Sequence, residues 1–279
     1  MKIDSHHHFW KYNEAEYGWI DDRMAVLKRD FLPDDLEHRL LESGFSGSVA
    51  VQARQTTEET RWLLNLAGKH DFIKGVVGWV DLCSEDKLRR QLDEFCKSPE
   101  FVGVRHVIHD EPDDGFMLRD DFLKGISILK DYDLTYDLLL FPKHIPLAQI
   151  VVSMFPEQKF VVDHIAKPLI KDRISEPWRD DIRMLAENKN VWCKLSGMVT
   201  EADWKKSTSK DFRPWLDVVF DAFGTDRLMV GSDWPVCLVS RKYPDVINIV
   251  KDYISGMPDV ARQKILGLNC IEFYSLGKK

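Results

Sequence analysis

Cysteine is scarce and scattered: Cys83, Cys96, Cys193, Cys237 and Cys270 are the only five, and none forms a Cys-x-x-Cys pair. That spacing excludes a zinc knuckle, and the odd count argues against a disulfide framework, so they read as reduced core thiols. Positive charge is in deficit. Lys and Arg number 39 against 46 Asp and Glu, a net charge of −7 with no concentrated basic stripe. Nucleic acid is therefore excluded as the main partner. No apolar run reaches membrane-spanning length, which excludes a spanning helix. The N-terminus also lacks a basic region leading into a greasy stretch and a cleavage site, so the expected location is cytoplasmic. Internal repeats, low-complexity tracts and long Pro/Gly/Ser linkers are missing too. What remains, 44% hydrophobic and 30% charged over 279 residues, is ordinary for one large core, and a single domain over 1–279 is expected. Whether the chain forms a homo-oligomer stays open.

Short apolar runs recur along the chain. The strand candidates are Lys2–Ser5, Ser48–Gln52, Ile73–Trp79, Val102–Val107, Leu134–Leu140, Lys159–Asp163, Val191–Leu195 and Leu228–Gly231. Most are apolar throughout rather than alternating, as in strands buried on both faces of a parallel sheet. Helical patterns fill the gaps. Pro33 opens one that Gly44 closes; Thr56 to Glu59 resembles a capping box; Ser84 heads another with Leu88, Leu92 and Phe95 on one face. Further helices are expected over 120–132, 145–155, 178–188, 212–223 and 244–255, and a last one over 258–274 packing on the outside. Eight strands alternating with eight helices is the arithmetic of a TIM-type (β/α)8 barrel, an α/β fold. The alternative, a doubly wound open sheet, finds no Gly-rich phosphate loop after the first strand. The aperiodic segment from Phe9 to Pro33 leaves the first strand at its C-terminal end and is expected to lie over the barrel mouth.

In such a barrel the C-terminal strand ends converge on one mouth, whatever their separation in sequence. His6 and His8 share a face of the first strand while His7 points away, so two imidazoles can share a divalent cation or grip one polar group. The other ends supply Gln52 and Arg54, Arg105, His106 and His109, His164, Lys194 and Ser196, and Asp233. Asp233 can take a proton from water, bind a metal or hold a histidine. Arg105 suits bidentate contact with a carboxylate or a polarised carbonyl, and His106 should face the opposite way. Trp10, Trp79 and Trp234 offer stacking faces for a sugar ring, against the commoner use of tryptophan in cores. His109 and Lys167 fall in loops the pattern does not place.

Ile3-Asp4-Ser5-His6-His7-His8-Phe9-Trp10, Gly103-Val104-Arg105-His106, Asp110-Glu111-Pro112, Asp163-His164 through Lys167-Pro168, and Gly231-Ser232-Asp233-Trp234-Pro235 follow one another in this order. In that set the chain resembles the lactonase branch of the amidohydrolase superfamily, which includes fuconolactonase-like sugar lactonases and pyrone-dicarboxylate lactonase. The resemblance spans Met1 to about Tyr274 and implies a distorted barrel that hydrolyses a cyclic ester. It puts the family's first-strand histidine pair on His6 and His8, its sixth-strand histidine on His164, its eighth-strand aspartate on Asp233 and its fourth-strand arginine on Arg105. Metal-dependent amidohydrolases place a lysine or glutamate at the fourth strand end and a histidine at the fifth. Here those positions offer Arg105 and, after Phe141-Pro142, nothing until His144, which argues against a two-metal site. A single zinc on His6, His8, Asp233 and His164 fits the residues, and so does a metal-free site in which histidines and Arg105 polarise the carbonyl. The expected substrate is a small sugar-acid lactone. Asp233 serves as general base, His164, His6, His8 and Arg105 stabilise the oxyanion, and Trp10, Gln52, Arg54, Lys194 and Trp234 contact substrate. Pyrone-dicarboxylate hydrolysis, a metal-dependent decarboxylase and a silent sugar-acid binder are the competing readings.

Overall fold

Val49-Ala50-Val51 and Val76-Val77 are apolar at successive positions and buried on both sides, the signature of strands sandwiched between a barrel interior and a helical coat. All eight expected strands form. In the computed structural model, which describes residues 1–277, they are β1 (Ile3–His7), β2 (Gly47–Val51), β3 (Ile73–Gly78), β4 (Phe101–His106), β5 (Thr135–Leu138), β6 (Phe160–Val162), β7 (Val191–Leu195) and β8 (Leu228–Val230). Each pairs in parallel with the next, in the order β1 to β8. Irregular backbone joins the two ends. The Asp233 N–H donates to the His6 carbonyl at 2.8 Å, and the His8 N–H to the Trp234 carbonyl at 2.7 Å. This closes the (β/α)8 barrel and brings the His6–His8 stretch against Asp233.

The connecting helices follow the sequence signals with two exceptions at their starts. The Thr56 hydroxyl accepts from the Glu59 N–H at 3.2 Å, but no capping box forms. The Glu59 carboxylate turns away to accept the backbone N–H groups of Ala53 (2.9 Å) and Arg54 (2.7 Å), pinning the loop after β2. Ser84 makes no side-chain cap bond. Phe9–Pro33 does lie over the mouth: Trp10 pairs with Phe31 through two backbone hydrogen bonds, and Trp19 and Met24 line the cavity there.

The final segment departs from expectation. It is not one helix on the outside but two short ones, Asp259–Gln263 and Asn269–Tyr274, joined by a widened turn over Lys264–Leu268. Gly267 makes the close approach possible, since a Cβ there would lie 2.3 Å from the Met1 carbonyl. Cys270, Phe273, Tyr274 and Leu276 cluster with the inward Val49, Val51, Val77, Val161 and Met229. The segment thus plugs the end of the barrel opposite the mouth, where the apolar ends of eight strands would otherwise face water.

Candidate active site

The mouth holds a cavity of about 250 Å³. Its floor is made by His8, Arg105, His164 and Asp233, and its walls include Trp10, Trp19, Met24, His109, Lys167, Glu201 and Trp204. Strand alternation sets the first pair of imidazoles. His7 turns outward to the Ser48 hydroxyl at 2.9 Å, while His6 and His8 turn inward with their Nε2 atoms 3.2 Å apart. The His8 Nδ1 donates to the Val51 carbonyl at 2.8 Å, which turns its Nε2 towards Asp233 Oδ1 at 3.4 Å.

Two of the floor residues sit on unusual backbone. His164, Ile165, Ala166 and Lys167 have φ of 54°, 49°, 59° and 49°, a left-handed turn that non-glycine residues rarely adopt. Asp233 has φ 55°. Left-handed backbone at two polar residues facing one cavity is the kind of local strain that a functional site retains. The turn swings His164 towards Asp233, with Nε2 3.8 Å from Oδ1, and its Nδ1 lies 2.8 Å from the Ser196 hydroxyl. Gly197 leaves room for that ring, since a Cβ there would lie 2.5 Å from it.

Electrostatics separate the charged from the neutral groups. Burial raises the Asp233 carboxyl, but His164 and His8 facing it outweigh burial and hold it below the usual carboxylate range. Burial pushes the His164 imidazole down to about 4. It likewise pushes His6 well below the imidazole range, against the pull of the Asp163 carboxylate. At neutral pH Asp233 is therefore a carboxylate beside the neutral imidazole of His164, with neutral His6 behind it and Arg105 as the fixed cation.

Arg105 is held by what surrounds it. Its Nη1 donates to Asp163 Oδ2 at 3.0 Å and its Nη2 to the Gln52 carbonyl. Beneath the floor runs a buried charge network. Lys194 contacts Asp137 at 2.5 Å and Asp163 at 2.9 Å, and the Tyr274 hydroxyl, rising from the plug, donates to Asp137 at 2.8 Å.

Several expected substrate contacts lie elsewhere. Lys194 and Gln52 are fully buried below the cavity, spent on carboxylates and on Arg105 respectively. Arg54 turns away to Glu16 and Glu59. Trp234 is fully buried, packed on Phe9 and Phe31, and presents no face to a ligand. Trp10 does line the cavity, although its indole N–H is taken by the Arg29 carbonyl. His106 faces away, as strand alternation requires, and contacts Glu111 at 2.6 Å. His109, which the sequence left unplaced, lines the wall stacked on Phe141. Asp137 and Tyr274 went unnoticed, though Asp137 is a charge inside the apolar strand β5 and that was a signal for it.

The floor also has the donor set for a divalent ion. Around a tetrahedral zinc, ligand atoms stand about 3.3 Å apart. Here His6 Nε2 and His8 Nε2 are 3.2 Å apart, Asp233 Oδ1 lies 3.4 Å from His8 and 3.9 Å from His6, and His164 approaches the same oxygen at 3.8 Å. His6, His8 and Asp233 fit one ion, with His164 beside them. Asp163, 3.3 Å from the far nitrogen of His6, stands where a supporting carboxylate belongs.

The chain has counterparts among known proteins. Over 95% of its length the chain is 38% identical to an L-fucono-1,5-lactonase of Burkholderia multivorans, 93% of which is covered. It is 35% identical over its full length to the L-fucono-1,5-lactonase of Burkholderia ambifaria, with 97% of that protein covered. A crystal structure of an amidohydrolase from Burkholderia multivorans with bound zinc matches with a TM-score of 0.94 at 38% identity, covering 99% of each chain. The amidohydrolase family model matches residues 3–276, and with that span and those relatives the chain belongs to the amidohydrolase family.

Proposed function

We propose that this protein hydrolyses a small sugar-acid lactone, an aldonolactone such as fucono- or rhamnono-lactone, to the free hydroxy acid. The observation that carries the reading is Asp233, an ionised carboxylate at the floor of a mouth cavity whose other floor groups are two imidazoles and a guanidinium. The fuconolactonase relatives support the substrate class. A cavity of about 250 Å³ with indole faces and polar side chains on its walls suits one sugar ring.

In this reading the Asp233 carboxylate accepts a proton from a water molecule as the water oxygen bonds to the lactone carbonyl carbon. Arg105 and the floor imidazoles stabilise the oxyanion that forms. Collapse breaks the bond between that carbon and the ring oxygen, which takes the proton back from Asp233 and leaves as a hydroxyl. His6, His8 and Asp233, with His164 adjacent, would hold one zinc, which when bound polarises the carbonyl and acidifies water. The zinc in the Burkholderia multivorans structure supports this part of the reading.

A pyrone dicarboxylate fits less well. It needs cations free for its carboxylates, whereas Arg105 is paired with Asp163, Lys167 with Glu201 at 2.7 Å, and Arg54 points away.

The test is a pH-indicator screen of fucono-, rhamnono-, galactono- and arabinono-lactones on chelator-treated protein, repeated with added zinc. Acid release from at least one lactone supports the reading, and its metal dependence shows whether the ion is required. Silence in both arms overturns it.

A further inference from the structure

Lys167 and Glu201 meet on the cavity wall, Nζ to Oε1 at 2.7 Å, with both side chains mostly buried. The contact does not use either of them up. The ammonium has three N–H donors, and among the described residues only Glu201 accepts from it, with the Phe141 ring 6.0 Å away. The Thr200 hydroxyl lies 2.6 Å from the Gly197 carbonyl, nearer than the 3.3 Å to Glu201 Oε1. Lys167 is therefore the main donor to the carboxylate, and Oε2 takes no donor among the described residues. A donor and an acceptor with capacity to spare stand side by side on the wall.

The pair is fixed relative to the floor. Lys167 ends the left-handed run that begins at His164, so one stretch of backbone places both the floor imidazole and the wall ammonium. The charge of Lys167 acts on Asp233 and His164 alike. Glu201 is tied to the same surroundings. Its carbonyl accepts the Lys171 N–H at 2.9 Å, and Thr200 closes its turn onto Gly197, which packs on His164.

The rest of the wall has less to offer a polar ligand. Trp10 spends its indole N–H on the Arg29 carbonyl, and Trp204 spends its own on the Thr200 carbonyl at 2.9 Å. His109 and Asp110 face each other at 3.3 Å, with the Asp110 carboxylate largely in solvent.

An ion pair cancels its own charge, so it recognises neutral polar groups better than ionised ones. Two neighbouring hydroxyls on a ring suit it, since their oxygens stand about as far apart as Nζ and Oε1. One hydroxyl accepts from Lys167 while the other donates to Glu201, both as charge-assisted bonds. We propose that Lys167 and Glu201 form the subsite that reads two adjacent ring hydroxyls of the lactone, and that this pair selects among sugars. The inference rests on the hydrolase reading given above and assigns its specificity to named groups.

The test measures kcat/KM for the best lactone of the screen and for its monodeoxy analogues, each lacking one ring hydroxyl. Wild-type protein, Glu201→Gln and Lys167→Met are compared. Removing the Lys167 charge also disturbs Asp233 and His164, so the readout is the ratio of parent to analogue within each protein. Any uniform loss of rate cancels from that ratio. Wild-type protein should lose about tenfold or more on deletion of either of two adjacent hydroxyls, as hydrogen bonds to charged groups predict. In each variant the penalty for the same deletions should shrink by about fivefold or more. An unchanged penalty in either folded variant overturns the proposal, whatever happens to the overall rates. So does a wild type indifferent to every deletion. Wild-type silence on every lactone is a separate result: it sinks the hydrolase reading, and the subsite falls with it.

Discussion

Gly197 lies against the imidazole of His164 so closely that a Cβ would sit 2.5 Å from the ring, and its φ of 63° is one that L side chains rarely adopt. Gly197→Ala therefore meets two penalties at once. The variant should lose about 1–3 kcal/mol of stability and, by displacing His164, most of its turnover. Denaturant unfolding and initial rates on the best lactone check both. A variant with unchanged rates would show that His164 does not need its observed position.

Asp233→Asn keeps the shape of the side chain and removes its capacity to take a proton. Turnover should fall by at least about a hundredfold, the lower end for general-base catalysis, with an unchanged circular dichroism spectrum. Near-normal rates would remove Asp233 as the base.

The pH profile follows from two depressed groups. The proposed reaction uses Asp233 ionised and His164 neutral, and both have folded-state values below their ordinary ones, His164 at about 4. Lowering the pH from 7 to 5 protonates neither, so kcat/KM should stay level through the ordinary histidine range and fall only as pH drops towards 4. A loss of rate centred near pH 6.5 would mean that an imidazole with an unshifted pKa governs the reaction.

Tyr274 donates to Asp137 at 2.8 Å from the segment that plugs the barrel. Tyr274→Phe withdraws one donor from a fully buried carboxylate, which should cost about 1–3 kcal/mol, read from the midpoint of chemical unfolding. A shift within error would mean that Lys194 alone satisfies Asp137.

The fold was legible because a strand buried on both faces announces itself as an apolar run, and eight such runs alternating with helices admit few architectures. The polar floor was legible for a related reason. His6, His8, His164 and Asp233 each stand where an apolar run stops, so a barrel brings them together. Depth was not legible. Strand periodicity says that Lys194 faces inward but not that it faces the interior below the mouth, where Asp137 and Asp163 capture it. Nor could it foresee that Glu59 would pin the loop after β2 and leave Arg54 turned to Glu16. The plug was misread because its apolar spacing suits any buried helix, whichever surface it covers. The walls of the cavity come from loops, with Trp19, Glu201 and Trp204 brought in by segments that carry no periodic signal.

The joining of β1 to the backbone around Asp233 and Trp234 has a consequence for how the protein is made. Synthesis delivers His6 and His8 well before Asp233, and the stretch that completes their surroundings arrives more than two hundred residues later. Until then the first strand has one open edge, and its histidines lack the aspartate they face. Tyr274, which donates to the network from below, emerges later still. Every nascent chain that stops short of that stretch thus holds its first-strand histidines in an incomplete site, which only the folding of residues more than two hundred positions further on completes.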